Sequence, residues 1–206
     1  MEDLQLSRDF WLHEAPCYQL ATPEDVGHLQ ETTARVLQPA RNVFGVIDLT
    51  SWKWWSAGCV PRTGTHSWGG TVDIQPRDAD TREVFEWGAT NLLPSGYIGR
   101  WIYEPEILDA QGKRIQGEHI HVAPRADMVS HNGDSTIKAL VETSDGSHYV
   151  YAQIDQGSFQ APYILEPLVG GARKGVNLLL VLGIPALVAL LFGAGRSGEW
   201  TTRESW

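Results

Sequence analysis

His66-Ser-Trp-Gly69-Gly70-Thr-Val-Asp73 has the form HxxGxxxD. Further along, Glu118-His119-Ile-His121 is at once an ExxH and an HxH. Together the two pieces offer imidazoles, a carboxylate, and a spare acid or imidazole. A catalytic zinc asks for that set: three protein ligands, an open position for water, and a base to take the water's proton.

The spacing has a mechanical reading. Gly69-Gly70 permits a tight backbone path directly after His66. Thr71-Val-Asp-Ile74 alternates and is rich in β-branched residues, which predicts a short strand. A bend from loop into strand brings His66 and Asp73 back toward one ion. His119 and His121 share one face of a strand, because side chains alternate with period two. Glu118 faces the other way in a regular strand, and reaches the same site only where the chain bends or the strand begins.

The elements that must hold these residues follow from local signals. Residues 1–21 read as irregular, anchored by Phe10, Trp11 and Leu12. Thr22-Pro23-Glu-Asp25 is a helix start, with Val26, Leu29, Val36 and Leu37 on one face and Pro39 closing it. Asn42 to Leu49 reads as a strand interrupted by Gly45, and residues 50–70 as the loop carrying His66. Asp80-Thr-Arg-Glu83 starts a second helix running to about Leu93. Gly99 to Tyr103 and Glu118 to Val122 read as strands, joined by a polar loop with Gln111-Gly112 in a hairpin. Ser135 to Glu142 and His148 to Ile154 predict a further hairpin around Ser144-Asp-Gly-Ser147. His13, His28 and His148 read as surface or core residues, and His131 as a loop residue. The fold class expected is α+β: a small antiparallel sheet with flanking helices around a single zinc site, plus a C-terminal hydrophobic helix.

At this point the residues resemble a family. HxxGxxxD followed by ExxH or HxH is similar to the zinc peptidases that include D-alanyl-D-alanine carboxypeptidases and dipeptidases, phage endolysin endopeptidases and the hedgehog signalling domain. Phe10-Trp-Leu-His-Glu14 resembles that family's N-terminal entry. Val36-Leu-Gln-Pro-Ala-Arg41 resembles its helix end, and Val46-Ile-Asp-Leu-Thr-Ser51 the strand before its metal loop. The resemblance covers roughly residues 8–125. It implies zinc bound by His66, Asp73 and His121. It places Glu118 where carboxypeptidase-type members have their catalytic acid, and His119 where HxH-type members have a non-ligand histidine. Two positions depart from the pattern. Gly64 stands where the family has serine, and Thr50-Ser51-Trp52-Lys53-Trp54 stands where it has Thr-Ser-Gly-Tyr-Arg with the arginine facing substrate. Lys53 or Arg62 are the candidates to replace that arginine, although lysine lacks the bidentate fork.

The function this implies is a zinc-dependent peptidase cleaving peptide bonds in bacterial peptidoglycan stems. Its implied setting is phage-encoded, in a virion or associated with a host membrane. The alternative is a virion or membrane component that keeps an inactive peptidase fold, with zinc as a structural staple, for binding cell wall.

Composition bounds the partners. The chain has 206 residues and a net charge of −9, with no long basic run, which argues against nucleic acid as the main partner. Nine tryptophans are many for this length, and Trp52, Trp54, Trp55 and Trp68 crowd the metal loop. They either wall a groove for peptide or sugar, with Trp68 as a substrate contact, or pack the loop itself. Cys17 and Cys59 lie in no CxxC, and free thiols are favoured over a bridge. The N-terminus lacks the basic start and apolar core of a secretory signal.

Residues 1–168 are expected to form the peptidase-like domain and 169–175 a flexible linker. Residues 176–194 are uncharged and apolar all round. As a helix they span about 28 Å, the length of a single membrane span. The other home for such a helix is the interior of a protein assembly. Residues 195–206 form a polar tail.

Overall fold

The computed structural model describes residues 3–54, 58–155 and 158–160. The predicted linker, the apolar segment 176–194, the polar tail and Trp55 lie outside these residues. Among the described residues no helix is long and apolar enough to cross a membrane.

Two short strands, β1 (Gln5–Ser7) and β2 (Phe10–Trp11), open the chain as an antiparallel pair. Helix α1 (Pro23–Thr32) begins where its signal stands. The Asp25 N–H donates to the Thr22 hydroxyl, while the Thr22 N–H donates to Asp25 Oδ2 at 2.9 Å. Pro39 does not close this helix. Proline has no N–H to give, and its ring crowds the carbonyl four residues back. The chain absorbs both by widening the turn Thr33–Leu37 to π spacing, with the Gln38 N–H bonded to the Thr33 carbonyl. Helix α2 (Gln38–Phe44) then continues, with Pro39 in its first turn. The strand expected from Asn42 therefore starts late. Gly45, at φ 77°, ends α2, and β3 is Ile47–Ser51.

The remaining elements are β4 (Val72–Pro76), α3 (Thr81–Asn91) capped by the Asp80 carboxylate, and β5 (Ile98–Glu104). A small hairpin, β6 (Ile107–Leu108) and β7 (Arg114–Gln116), occupies the polar loop as expected. Then come β8 (His119–Pro124), α4 (Arg125–Asn132), the hairpin β9 (Ile137–Glu142) and β10 (His148–Asp155), and β11 (Ser158–Gln160). His131, expected in a loop, lies in the last turn of α4 and is exposed.

The class is α+β, but the sheet is larger than expected and mixed. Among the described residues its seven strands run in the order β11-β10-β9-β5-β8-β4-β3, with β5 and β9 parallel and the other neighbours antiparallel. After β8 the chain passes through α4, and β9 then joins β5 from its far side. That longer return lets the two strands run the same way.

Register gives the two faces of the sheet different chemistry. Val72 and Ile74 on β4, Ile120 and Val122 on β8, and Trp101 on β5 are fully buried on one face. Helix α3 covers that face, the Trp101 indole N–H donating to the Phe85 carbonyl at 2.8 Å. Alternation sends Asp73, His119, His121 and Glu104 to the opposite face.

Two N-terminal motifs meet at the entry to β3. The Arg41 guanidinium lies 3.5 Å from the Phe10 ring centroid, and its Nη2 donates to Glu14 Oε2 at 2.9 Å and to the Ile47 carbonyl at 2.8 Å. Cys17 and Cys59 form a disulfide with Cα atoms 5.7 Å apart, which corrects the expected free thiols. The bridge ties the chain just before the His66 loop to the N-terminal segment. Its ends meet only through the tertiary fold, so local spacing carries no sign of it.

Candidate metal centre and its cleft

β4 and β8 are neighbours, and their register sets Asp73 directly across from His121. Asp73 Oδ1 lies 2.9 Å from His121 Nδ1 and 3.3 Å from His66 Nε2. The two imidazoles meet edge to face, with centroids 4.9 Å apart. One ligand atom from each of the three residues lies within 4.8 Å of the others, so the group can hold a metal ion. His66 is 3% exposed, and neither ring nitrogen has a hydrogen-bond partner. A buried polar group left unpaired costs about 1–3 kcal/mol. A cation among these donors removes that cost, so the residues present fit a metal.

His66 reaches the strands through a clamped loop. A 3-10 turn, Gly64–Trp68, carries it, and Gly69 at φ 90° turns the chain into β4. The next residue must also be glycine, since a Cβ at Gly70 would stand 2.9 Å from Asp127 Oδ2. That carboxylate on α4 accepts from the Gly70 N–H at 3.0 Å and the Thr71 hydroxyl at 2.9 Å. From α1, Thr32 Oγ1 donates to the Gly70 carbonyl at 2.8 Å, and His28 Nδ1 lies 2.7 Å from the Trp68 carbonyl. The Trp52 indole donates to the Gly69 carbonyl.

The Asp73 carboxylate divides its oxygens. Oδ1 faces the two histidines, while Oδ2 accepts from Arg62 Nη1, which also reaches Ser51 Oγ. Burial alone would raise the Asp73 carboxyl, but the hydrogen bond to His121 and the nearby His66 imidazole hold it well below the usual carboxylate range. Burial pushes the His66 imidazole down despite Asp73, which favours the neutral form that ligates metals. His121 Nε2 lies 3.4 Å from Thr65 Oγ1, leaving Nδ1 as the nitrogen turned to Asp73. Arg62 and Thr65 thus stand behind the ligands and fix their orientation.

An open cleft of about 300 Å³ adjoins the site, and Ser51, Arg62, Asp73, Glu104, Glu118 and His119 are among its walls. His119 lies beside Asp73. Its Nε2 is 2.9 Å from Glu104 Oε2 and 3.8 Å from Asp73 Oδ2. Burial opposes its charge, but the Glu104 hydrogen bond and the Asp73 charge push its pKa up to about 9. Glu118 immediately precedes β8 and shares the cleft wall with His119. Its Oε1 accepts from the Tyr103 hydroxyl, and Tyr103 is the cross-strand partner of Ile120, on the face away from His119. Burial, then Glu118, pushes the Tyr103 phenol upward.

The other expected contacts separate. Lys53 Nζ donates to Asp25 and is not part of the cleft wall. Trp68 is 44% exposed and likewise stands outside that wall. Trp52 and Trp54 are buried edge to face at 5.5 Å, so they pack the loop. Glu104 escaped the sequence reading. Its signal is the β5–β8 register, which pairs it with His119 and which no local motif encodes.

No protein-family model matches the chain, and no solved structure matches it. A nonribosomal peptide synthetase from Aspergillus campestris (strain IBT 28561) is similar to it, 28% identical over 138 residues. That match takes in 57% of this chain, and the chain spans about 1% of the length of this curated relative.

Proposed function

We propose that the chain is a zinc-dependent peptidase acting on short peptides of the bacterial cell-wall stem type. The observation that carries this reading is His66, buried with both ring nitrogens unbonded, 3.3 Å from an Asp73 oxygen that also faces His121, beside an open cleft. Two imidazoles and one carboxylate are a donor set suited to zinc, and three ligands leave a position for water or substrate. The substrate class rests on the motif resemblance. The Aspergillus relative's name concerns peptide assembly, and a match to so small a part of it assigns no activity.

Bound zinc supplies two things here: a water of lowered pKa and a polarised carbonyl. His66, Asp73 Oδ1 and His121 Nδ1 would hold it. Arg62 keeps Asp73 Oδ2 occupied, so Oδ1 stays turned to the histidines. His119, pushed up to about 9 by Glu104 and Asp73, sets a positive charge beside the cleft where negative charge develops on the substrate oxygen. Glu118 takes the proton of the attacking water and passes it to the leaving amine.

One second reading has specific support. Arg62 is committed to Asp73, and the Glu118 carboxylate is held by Tyr103 on the other parity. Both favour a metal-stapled binding module without turnover. The deciding experiment measures zinc per purified chain by mass spectrometry, together with release of fragments from purified peptidoglycan stem peptides. One zinc and chelator-sensitive cleavage is the expected result. Zinc without cleavage supports the binding module, and absence of metal affinity overturns both.

A further inference from the structure

Glu104 belongs to none of the sequence motifs, yet the β5–β8 register sets it across from His119, as the β4–β8 register sets Asp73 across from His121. Both members of the pair line the cleft. His119 is gripped at both ring nitrogens, Nε2 lying 2.9 Å from Glu104 Oε2 and Nδ1 2.7 Å from the Gly117 carbonyl. A carboxylate and a carbonyl only accept, so the ring cannot turn without losing an oriented bond. Asp73 Oδ2 also stands near Nε2, at 3.8 Å. Glu104 stands closer and therefore keeps the imidazole off a carboxylate that serves the metal centre.

We propose that Glu104 is the positioning residue of His119, holding its Nε2 edge toward the cleft and away from Asp73. This rests on the peptidase reading only for its kinetic consequence. Glu104 acts through the imidazole and does not itself meet substrate. Without it, His119 is free to swing onto Asp73 Oδ2, where it can no longer stabilise charge on a bound peptide.

The test uses the full chain and the variants Glu104→Ala, Glu104→Gln, Glu104→Asp, His119→Ala and the Glu104→Ala/His119→Ala pair. Glu104→Ala lowers kcat by about 10–100-fold, with KM changed less than about twofold. Glu104→Gln keeps an acceptor oxygen and recovers most of that loss. Glu104→Asp withdraws the acceptor by one methylene while keeping the charge and the fold, and behaves like the alanine variant. In the His119→Ala background, Glu104→Ala adds less than about a twofold loss, as expected of a residue acting through another. Independently of turnover, the His119 ring 15N resonances of the chelator-treated chain move in Glu104→Ala and Glu104→Asp. Unmoved resonances, or fully additive losses in the double variant, overturn the proposal. If the wild-type chain cleaves no peptide, the peptidase reading alone fails, and the ring resonances still decide the pairing of Glu104 with His119.

Discussion

Asp73 and His121 face each other across β4 and β8, with Oδ1 and Nδ1 2.9 Å apart, so the backbone of a paired interior strand and its neighbour fixes two of the three candidate ligands. The third, His66, depends on a loop. The expected consequence is a site whose geometry is set in advance by the sheet and completed by the clamp on residues 64–71. His66→Ala and Asp73→Ala each weaken zinc binding by more than about 100-fold, beyond the 10–100-fold typical of residues behind the ligands. Competition with a chromophoric chelator measures this, and near-normal affinity in either variant refutes the three-residue site.

The clamp itself is testable through Asp127. Asp127→Ala leaves the Gly70 N–H and the Thr71 hydroxyl, both buried, without their carboxylate. Each orphaned group costs about 1–3 kcal/mol, so the chelator-treated chain loses about 2–4 kcal/mol in urea unfolding. Zinc affinity falls as well, because the loop that presents His66 is freed. A stability loss with unchanged zinc affinity would show that the strands and the 3-10 turn place His66 unaided.

The disulfide closes a separation of 42 residues between the N-terminal segment and the chain leading to Arg62. Cross-linking a loop of this size stabilises the fold by about 3–4 kcal/mol through the unfolded state. Cys17→Ser/Cys59→Ser lowers the unfolding free energy by about that much. A thiol reductant brings the wild-type chain to the same value and leaves the variant where it is. A reductant effect of equal size on the variant would place the weakness elsewhere.

How much of this was legible in the sequence depended on the range of the signal. The Thr22–Asp25 box, the Asp80 cap and the β9–β10 hairpin are written in a few adjacent residues, and they stand where those residues put them. The motif pair correctly brought His66, Asp73 and His121 together. Alternation left open whether Glu118 reaches the site, and the structure shows it bonded to Tyr103 while sharing the cleft wall with His119. Three features failed to show because their causes are distant or compensated. Pro39 is a helix breaker by local rule, and only a π turn before it lets the helix run on to Phe44. The Cys17–Cys59 bridge and the Glu104–His119 pair join residues far apart in sequence, through packing and strand register that local patterns do not carry.

Acid stability should report on Asp25. Its carboxylate accepts from Lys53 and from the Thr22 N–H and hydroxyl. Burial opposes the charge, but these hydrogen bonds win and hold the carboxyl below its usual value. The folded-state pKa is thus below the unfolded value of about 3.9. The stability Asp25 contributes is therefore complete above that pH and is lost as pH falls through the folded value. Asp25→Asn costs about 1–2 kcal/mol at neutral pH, as the N-cap partner and the Lys53 pair are lost. The gap to wild type closes below about pH 4. Urea midpoints across pH, with metal chelated throughout, measure it, and a gap that persists unchanged in acid removes the charged form from the account.

The assignment of proton transfer rests on Glu118 and His119, which differ in a measurable way. In the metal-free chain Glu104 and Asp73 push His119 up to about 9, and both of its ring nitrogens face acceptors, so it is not placed to serve as the base. Glu118 is the base candidate, but Tyr103 holds its Oε1 on the parity away from His119. To act, Glu118 must turn its other oxygen into the cleft whose wall it forms. Glu118→Ala should keep zinc and lose turnover by about 10²–10⁴-fold. His119→Ala should also keep zinc, with a loss of about 10²–10³-fold from the missing positive charge beside the substrate oxygen. Tyr103→Phe releases Glu118 from its only hydroxyl donor among the described contacts, and should leave kcat equal to or above wild type. A Tyr103→Phe variant as inactive as Glu118→Ala would mean that the tyrosine presents the carboxylate to the water rather than restraining it. Equal zinc content in all three variants is the control that keeps these losses chemical. Unchanged hydrolysis in Glu118→Ala would move the base to another group at the cleft, with Glu104 the remaining carboxylate beside His119.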